Sequence, residues 1–155
     1  KNRNAEIHAF EPNPKTFKRF GCQLDLNRQL KNLIIPVNLG LGDEKTKMTL
    51  TVPERSDGLA SFEREYNSEP HSTYSVDVIR LDDYVFSKGL RVDFIKIDVE
   101  GFEAAVFKGA KRLLTEQGPP IFCEMVDINC EAAQVLRSYG YSICKKFSLD
   151  ILWTK

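Results

Sequence analysis

The segment Val92–Gly101, with the sequence VDFIKIDVEG, is the strongest constraint on the fold of this chain. Its first half is a nearly continuous apolar run, typical of a central parallel strand covered on both faces. Two carboxylates, Asp98 and Glu100, and then Gly101 follow the run, and apolar residues recur at helical spacing from Phe102 onwards. This order predicts a ligand site at the carboxyl edge of an open α/β sheet. The alternative is that the acids only cap the helix, where negative charge is also favoured.

The composition is that of an ordinary globular protein rather than a disordered one. Of the 155 residues, 42% are hydrophobic and 28% are charged, and 22 basic residues balance 22 acidic ones. Since the net charge is zero, we expect neither a nucleic-acid nor a membrane partner, and we expect a cytoplasmic location. The cysteines are scattered without a Cys-x-x-Cys pair, so we expect reduced, buried thiols and no zinc site. They are Cys22, Cys123, Cys130 and Cys144.

Hydrophobic periodicity predicts alternating strands and helices along a single domain. We expect a three-layer α/β fold with a mostly parallel sheet and antiparallel C-terminal strands. A polar stretch over residues 53–72 predicts a long surface loop that shapes specificity. The predicted strands cover residues 5–10, 33–39, 47–52, 74–79, 92–98, 121–126, 142–146 and 150–154. The predicted helices cover residues 14–29, 81–86, 102–117 and 130–138.

Acidic residues follow several of these strands. Their joint occurrence at strand ends is stronger evidence for a ligand site than any single acid. Glu11, Asp43 and Glu124 join the two acids of the central segment. An acid after a strand accepts hydrogen bonds from ribose hydroxyls in many nucleotide-binding α/β folds. Glu11 alone is weak evidence for such a site, because an acid at this position can also be a helix cap.

Other sequence signatures of chemistry are missing or weak. There is no Gly-x-Gly-x-x-Gly fingerprint and no phosphate loop, so the sequence does not favour a dinucleotide-dependent oxidoreductase. The sequence indicates no Ser-His-Asp triad, because His8 and His71 are the only histidines. His8 lies inside the first predicted strand and is read as structural. His71 lies in the predicted loop, as a candidate base or as a solvated loop residue.

Five segments, in this order and spacing, resemble the FkbM-type methyltransferases. They are AFEPNP, NLGLGDE, VIRLDDY, VDFIKIDVEGFEAAVFKGAKRLL and PPIFCEM. The resemblance runs from Ala9 to Met125. The central motif Ile95–Gly101 is its specific part, whereas EPNP and the Gly-Asp turn are not specific alone. The family uses S-adenosylmethionine and has the Rossmann-like class I methyltransferase fold.

The resemblance implies a role for each acid at the strand ends. It implies that Glu11 holds the cofactor ribose and that Gly42 and Asp43 sit by the adenine. It implies that Asp98 and Glu100 line the methyl-transfer site, with Asp98 also touching the cofactor.

The resemblance extends to catalysis and to the acceptor. Glu124 joins Asp98 and Glu100 as a candidate catalytic acid. Chemistry leaves two roles open for these acids: Asp98 or Glu100 is the base, or the acids hold a divalent metal together with Glu124. Ser61 matches a serine of the family, and with His71 it is a candidate for binding the acceptor. The expected reaction is O-methylation of a sugar or another natural product.

The family's first strand and its glycine-rich loop would precede Ala5 and are expected to be missing. Residues 1–155 are therefore interpreted as one methyltransferase domain that is incomplete at its N-terminus. The alternative is a non-catalytic nucleotide-binding or interaction module of the same fold.

Overall fold

The computed structural model describes residues 5–54, 59–62 and 70–155. It confirms an α/β protein in which strands and helices alternate. The strands are β1 (Ile7–Phe10), β2 (Ile34–Val37), β3 (Gly40–Leu41), β4 (Thr46–Pro53), β5 (His71–Ile79), β6 (Ile95–Ile97), β7 (Ile121–Glu124), β8 (Ser142–Phe147) and β9 (Asp150–Thr154). The helices are α1 (Pro14–Leu26), α2 (Arg28–Lys31), α3 (Leu81–Ser87), α4 (Glu103–Lys108), α5 (Lys111–Glu116) and α6 (Glu131–Ser138).

The described strands pair in three sheets rather than in one mostly parallel sheet. The sheets have the strand orders β1-β2, β3-β5-β4 and β6-β7-β9-β8. The β1–β2 and β6–β7 pairs are parallel, whereas β4–β5, β7–β9 and β8–β9 are antiparallel. The antiparallel C-terminal strands are confirmed, because a turn as short as the one between β8 and β9 can join only antiparallel neighbours. The Rossmann-like arrangement as a whole stays a prediction.

The chain divides into two compact units, which are described separately, and the single domain stays a prediction. The first unit comprises Lys1–Gly40 and Thr46–Val78, and the second comprises Leu41–Lys45 and Ile79–Lys155.

The core of the first unit lies on one face of the β4–β5 hairpin. Leu50, Val52, Val76 and Val78 form this core, because alternate residues of each strand point to the same side. β4 extends through Pro53 and β5 starts at His71, so the predicted loop is wrong at both ends. Residues 55–58 and 63–69 of that loop lie outside the described residues.

The four-stranded sheet of the second unit buries one face. Ile97, Ile121, Cys123, Ile151 and Trp153 alternate onto this face and are at most 6% exposed. On the opposite face Lys96 is exposed and Phe122 is half-buried. Phe94, just before β6, is 54% exposed. The prediction that this strand is covered on both faces is therefore wrong.

The helix predicted over residues 102–117 is interrupted after Lys108. A Cβ on Gly109 would lie 1.8 Å from the carbonyl oxygen of Gly42, so only glycine allows this close contact. The Gly109 carbonyl accepts a hydrogen bond from the Asp82 backbone N–H, which takes it out of the helical pattern. The Asp82 carboxylate then accepts from the N–H groups of Arg112 and Leu113 and caps α5. Tertiary partners thus replace the helical hydrogen bonds at the break.

The helix predicted over residues 14–29 also breaks, at Asn27 between α1 and α2. The inward side of α1 is formed by Leu24, which is buried, and by Phe17 and Phe20, which are half-buried. Cys22, which was predicted to be a buried thiol, is exposed on this helix.

The cysteines are unpaired, as the sequence predicts, but they are not all buried. Cys123 is fully buried, while Cys130 is half-buried and Cys144 is exposed on β8. Burial, followed by the nearby charge of Glu103, raises the pKa of the Cys123 thiol to about 12. Cys144 lies on β8, the edge strand of its sheet.

Candidate functional site

The acidic turn after β6 places Asp98 at the carboxyl end of the strand. Ile95 and Ile97 point toward the packed face of the sheet, so Lys96 and Asp98 share the opposite, open face. The Lys96 Nζ atom lies 2.8 Å from an Asp98 carboxylate oxygen, and the Asp98 side chain remains 49% exposed. Asp98 is therefore oriented by a cation and is still accessible to a ligand.

The backbone after Asp98 is strained. Glu100 has φ 51° and Gly101 has φ 102°. Glycine adopts such angles freely, but a residue with a Cβ does so at a cost. The Gly101 N–H donates to the Glu103 carboxylate at 3.2 Å, and the Phe102 N–H donates to the Val99 carbonyl at 3.2 Å. The turn therefore holds the half-buried Glu100 in a conformation that its own residue type disfavours.

Glu124 lies beside Asp98 because β6 and β7 are parallel neighbours. Ile97 pairs with Cys123, so the two acids follow at the same level on adjacent strand ends. Glu124 is exposed. The structure thus brings together two of the three predicted catalytic acids on one edge.

Asp150 extends this row of acids, although it was not predicted as a site residue from the sequence. It opens β9 and pairs directly with Glu124 across the antiparallel β7–β9 ladder. The predicted hairpin contains Asp150, but only the insertion of β9 next to β7 brings it beside Glu124. Its placement depends on strand order, which local sequence patterns do not encode.

Gly42 and Asp43 occupy the turn before β4, in the second unit. The Gly42 N–H donates to the Ile79 carbonyl at 3.0 Å, and its own carbonyl packs against Gly109. Asp43 is exposed. The pKa of Lys108 is raised, mainly by its hydrogen bond to Glu131 and to a smaller extent by Asp43. Packing thus accounts for Gly42, and the cofactor role of both residues stays a prediction.

Glu11 lies in the first unit, directly after β1. One of its carboxylate oxygens accepts a hydrogen bond from the Asn13 N–H at 2.8 Å, and Asn13 caps α1 through the Lys15 N–H at 3.0 Å. Helix capping is thus one function of Glu11. The role of Glu11 in holding the cofactor ribose stays a prediction.

The two predicted acceptor residues also lie in the first unit. Ser61 forms an isolated antiparallel bridge with Thr51 and is 1% exposed. His71 is the exposed first residue of β5 and pairs with Pro53. His8 lies in β1, as predicted, and its Nε2 atom is 2.7 Å from the Glu6 carboxylate.

No group of three or more His, Cys, Asp or Glu side chains within residues 5–54, 59–62 and 70–155 is arranged to hold a metal ion. None of the helices in those ranges has both the length and the apolar character needed to cross a bilayer.

The fold and the row of acids define the class of the molecule, an α/β protein with a candidate ligand site at the carboxyl ends of adjacent parallel strands. The Methyltransferase FkbM domain model matches residues 2–143. The chain therefore belongs to the FkbM methyltransferase family.

Comparison with solved structures supports the fold. The chain is similar to the crystal structure of Methyltransferase FkbM from Methylobacillus flagellatus KT, with a TM-score of 0.63 and 17% sequence identity. The match covers 97% of this chain and 36% of that protein, so the chain spans about a third of its length. No curated protein sequence matches the chain.

Proposed function

We propose that this chain is the catalytic domain of an S-adenosylmethionine-dependent O-methyltransferase acting on a small hydroxyl compound such as a sugar. The observation that carries the proposal is the match of the Methyltransferase FkbM domain over residues 2–143. The exposed Asp98, adjacent to Glu124, supplies a group able to take a proton from an acceptor hydroxyl. A location in the cytoplasm remains part of the proposal.

The residues present fit the cofactor at one described point. Glu11 is half-buried at the end of β1 and presents a carboxylate, the group that binds paired ribose hydroxyls. Gly42 and Asp43 are proposed to border the adenine. The bound cofactor supplies a methyl group on a positively charged sulfur.

Asp98 is proposed as the proton acceptor. A hydroxyl is a weak nucleophile until its proton leaves, and a carboxylate within hydrogen-bond reach removes it. The Lys96 ammonium group lies 2.8 Å from one Asp98 oxygen, and the Asp98 side chain is 49% exposed. Glu100 and Glu124 are proposed to position the acceptor hydroxyl, and Ser61 and His71 to contribute to acceptor binding.

Cofactor binding is tested by thermal unfolding with S-adenosylhomocysteine, with a nicotinamide dinucleotide as the control. A ligand at a hundred times its dissociation constant stabilises the fold by about 2.7 kcal/mol. For a chain of this size we expect a rise in Tm of about 5–10 °C with S-adenosylhomocysteine alone. An equal rise with both ligands would contradict the proposal. Repeating the measurement on a chain extended before Lys1 tests whether a first strand and a glycine-rich loop add to the affinity.

The role of Asp98 is tested by Asp98→Asn, with Asp93→Asn as the matched control. Asp93 is an exposed acid of the same segment, paired only loosely with Arg91 at 3.5 Å. With a panel of glycosides as acceptors and saturating S-adenosylmethionine, we expect Asp98→Asn to lower turnover by about 10²–10⁴-fold. Unchanged turnover would show that Asp98 is not the base. A chelator in the same assay distinguishes the metal alternative, because proton transfer to Asp98 requires no ion.

A further inference from the structure

A cleft in the first unit is lined by none of the residues proposed above for methyl transfer. It has a volume of about 290 Å³ and is lined by Lys15, Val52, Pro53, Glu54, Ser72 and Tyr74. Ligand cavities range from about 300 to 1,000 Å³, so this cleft has room for one ring rather than for a long chain.

The cleft is built where the apolar face of the hairpin runs past the end of its core. Val52 pairs with Ser72, and Leu50 pairs with Tyr74, so these side chains point to one side. Val52 is buried and Tyr74 is half-buried against the core. The floor of the cleft is therefore aliphatic and aromatic.

The rim of the cleft carries one cation and one anion. Lys15 stands in the first turn of α1, where its N–H is held by the Asn13 cap, and Glu54 follows β4, where its N–H donates to the Pro70 carbonyl. Both side chains are exposed, and neither forms an ion pair with another residue in the described parts of the chain. The Ser72 hydroxyl adds a group that both donates and accepts.

This combination selects for a neutral ligand rich in hydroxyl groups. An anion such as phosphate would face the Glu54 carboxylate, and a cation would face the Lys15 ammonium group. A purely apolar ring would form no hydrogen bond with either charged group. A sugar ring satisfies every group, because its hydroxyls donate to Glu54 and accept from Lys15 while its C–H face packs on Tyr74.

We propose that the cleft between the start of α1 and the β4–β5 hairpin binds a single neutral sugar ring. Binding requires no methyl donor, so it is measured independently of methyl transfer. For a ligand of this size, the expected dissociation constant is about millimolar.

The test is a titration of the ¹⁵N-labelled chain with the methyl α-glycosides of glucose, galactose and mannose. We expect at least one glycoside to shift the backbone amide resonances of Lys15, Val52, Ser72 and Tyr74 in a saturable way. Inorganic phosphate and phenol are titrated in parallel as an anion and as an apolar ring. The proposal is overturned by the absence of saturable shifts up to about 100 mM glycoside, some hundred times the expected dissociation constant. It is also overturned if phosphate or phenol binds these amides more tightly than any glycoside.

Variants locate the binding. Glu54→Gln and Lys15→Met each remove one charged hydrogen-bonding group from an exposed position, so the fold is retained, and we expect about ten-fold weaker glycoside binding. The control is Asp77→Asn, on the outer face of β5, where Asp77 pairs with Lys47 at 2.7 Å. The Asp77→Asn variant should bind the glycoside with the same affinity as the unmodified chain. Equal affinities for all three variants would assign the resonance shifts to a different surface and overturn the proposal.

Discussion

Replacing Glu100 by glycine should make the fold more stable than replacing it by alanine. Glu100 has φ 51°, a left-handed conformation that costs a residue with a Cβ about 1–2 kcal/mol. Glycine avoids this cost but loses about 0.4–1 kcal/mol through the greater freedom of the unfolded chain. Because both variants lack the carboxylate, its lost contacts cancel in the comparison. The expected net gain of Glu100→Gly over Glu100→Ala is about 0.5–1 kcal/mol.

The assay is urea and thermal unfolding followed by circular dichroism. The expected gain corresponds to a Tm about 1–4 °C higher for the glycine variant. Ser148, with φ 57° in the turn between β8 and β9, should show the same order of glycine over alanine. Asp93, which is not among the described residues with positive φ, should show no gain from glycine. An alanine variant at Glu100 as stable as the glycine variant would refute the strain at this turn.

The same pair of variants separates strain from chemistry. Strained backbone conformations cluster at functional sites, where the side chain is needed for function despite the cost in stability. Both variants should therefore lose methyl transfer to the same extent, although only the glycine variant regains stability. A glycine variant with full turnover would show that the Glu100 carboxylate has no role in the reaction.

Three further predictions follow from individual contacts. Thr16→Val should stabilise the fold by about 1 kcal/mol in urea unfolding, because the Thr16 hydroxyl is buried without a partner in the described structure. The control Thr115→Val removes an exposed hydroxyl and should change stability by less than about 0.5 kcal/mol; a loss at Thr16 would contradict the prediction. Gly109→Ala should destabilise by more than about 3 kcal/mol, since its Cβ would lie 1.8 Å from a backbone carbonyl oxygen, and an unchanged midpoint would argue against this contact. In folded protein at pH 8.5, iodoacetamide should label the exposed Cys144 at least about a thousand-fold faster than Cys123, because burial raises the pKa of Cys123 from 9.0 to about 12. Equal labelling rates by mass spectrometry would contradict the burial of Cys123.

The order of the elements and the position of the acidic turn are properties of the sequence itself. Alternation of side chains along a strand and the 3.6-residue period of a helix are local, so β6, α4 and the acids between them could be predicted from a window of about twenty residues. The motif Ile95–Gly101 likewise carried the family resemblance that the Methyltransferase FkbM domain match confirms. Asp98 and Glu124 could also be placed at strand ends, because each strand end is marked by its own local pattern.

The tertiary structure decided everything that depends on partners distant in the sequence. The helix over residues 102–117 has a continuous helical pattern, yet it breaks because the Gly42 carbonyl approaches Gly109 and Asp82 caps the second half. Asp150 joins Glu124 only because β9 inserts between β7 and β8, an order that hydrogen-bond pairing sets. The physical reason is the same in these cases. Periodicity reports which side of an element is apolar, but the neighbour that covers that side is chosen by packing across the whole unit.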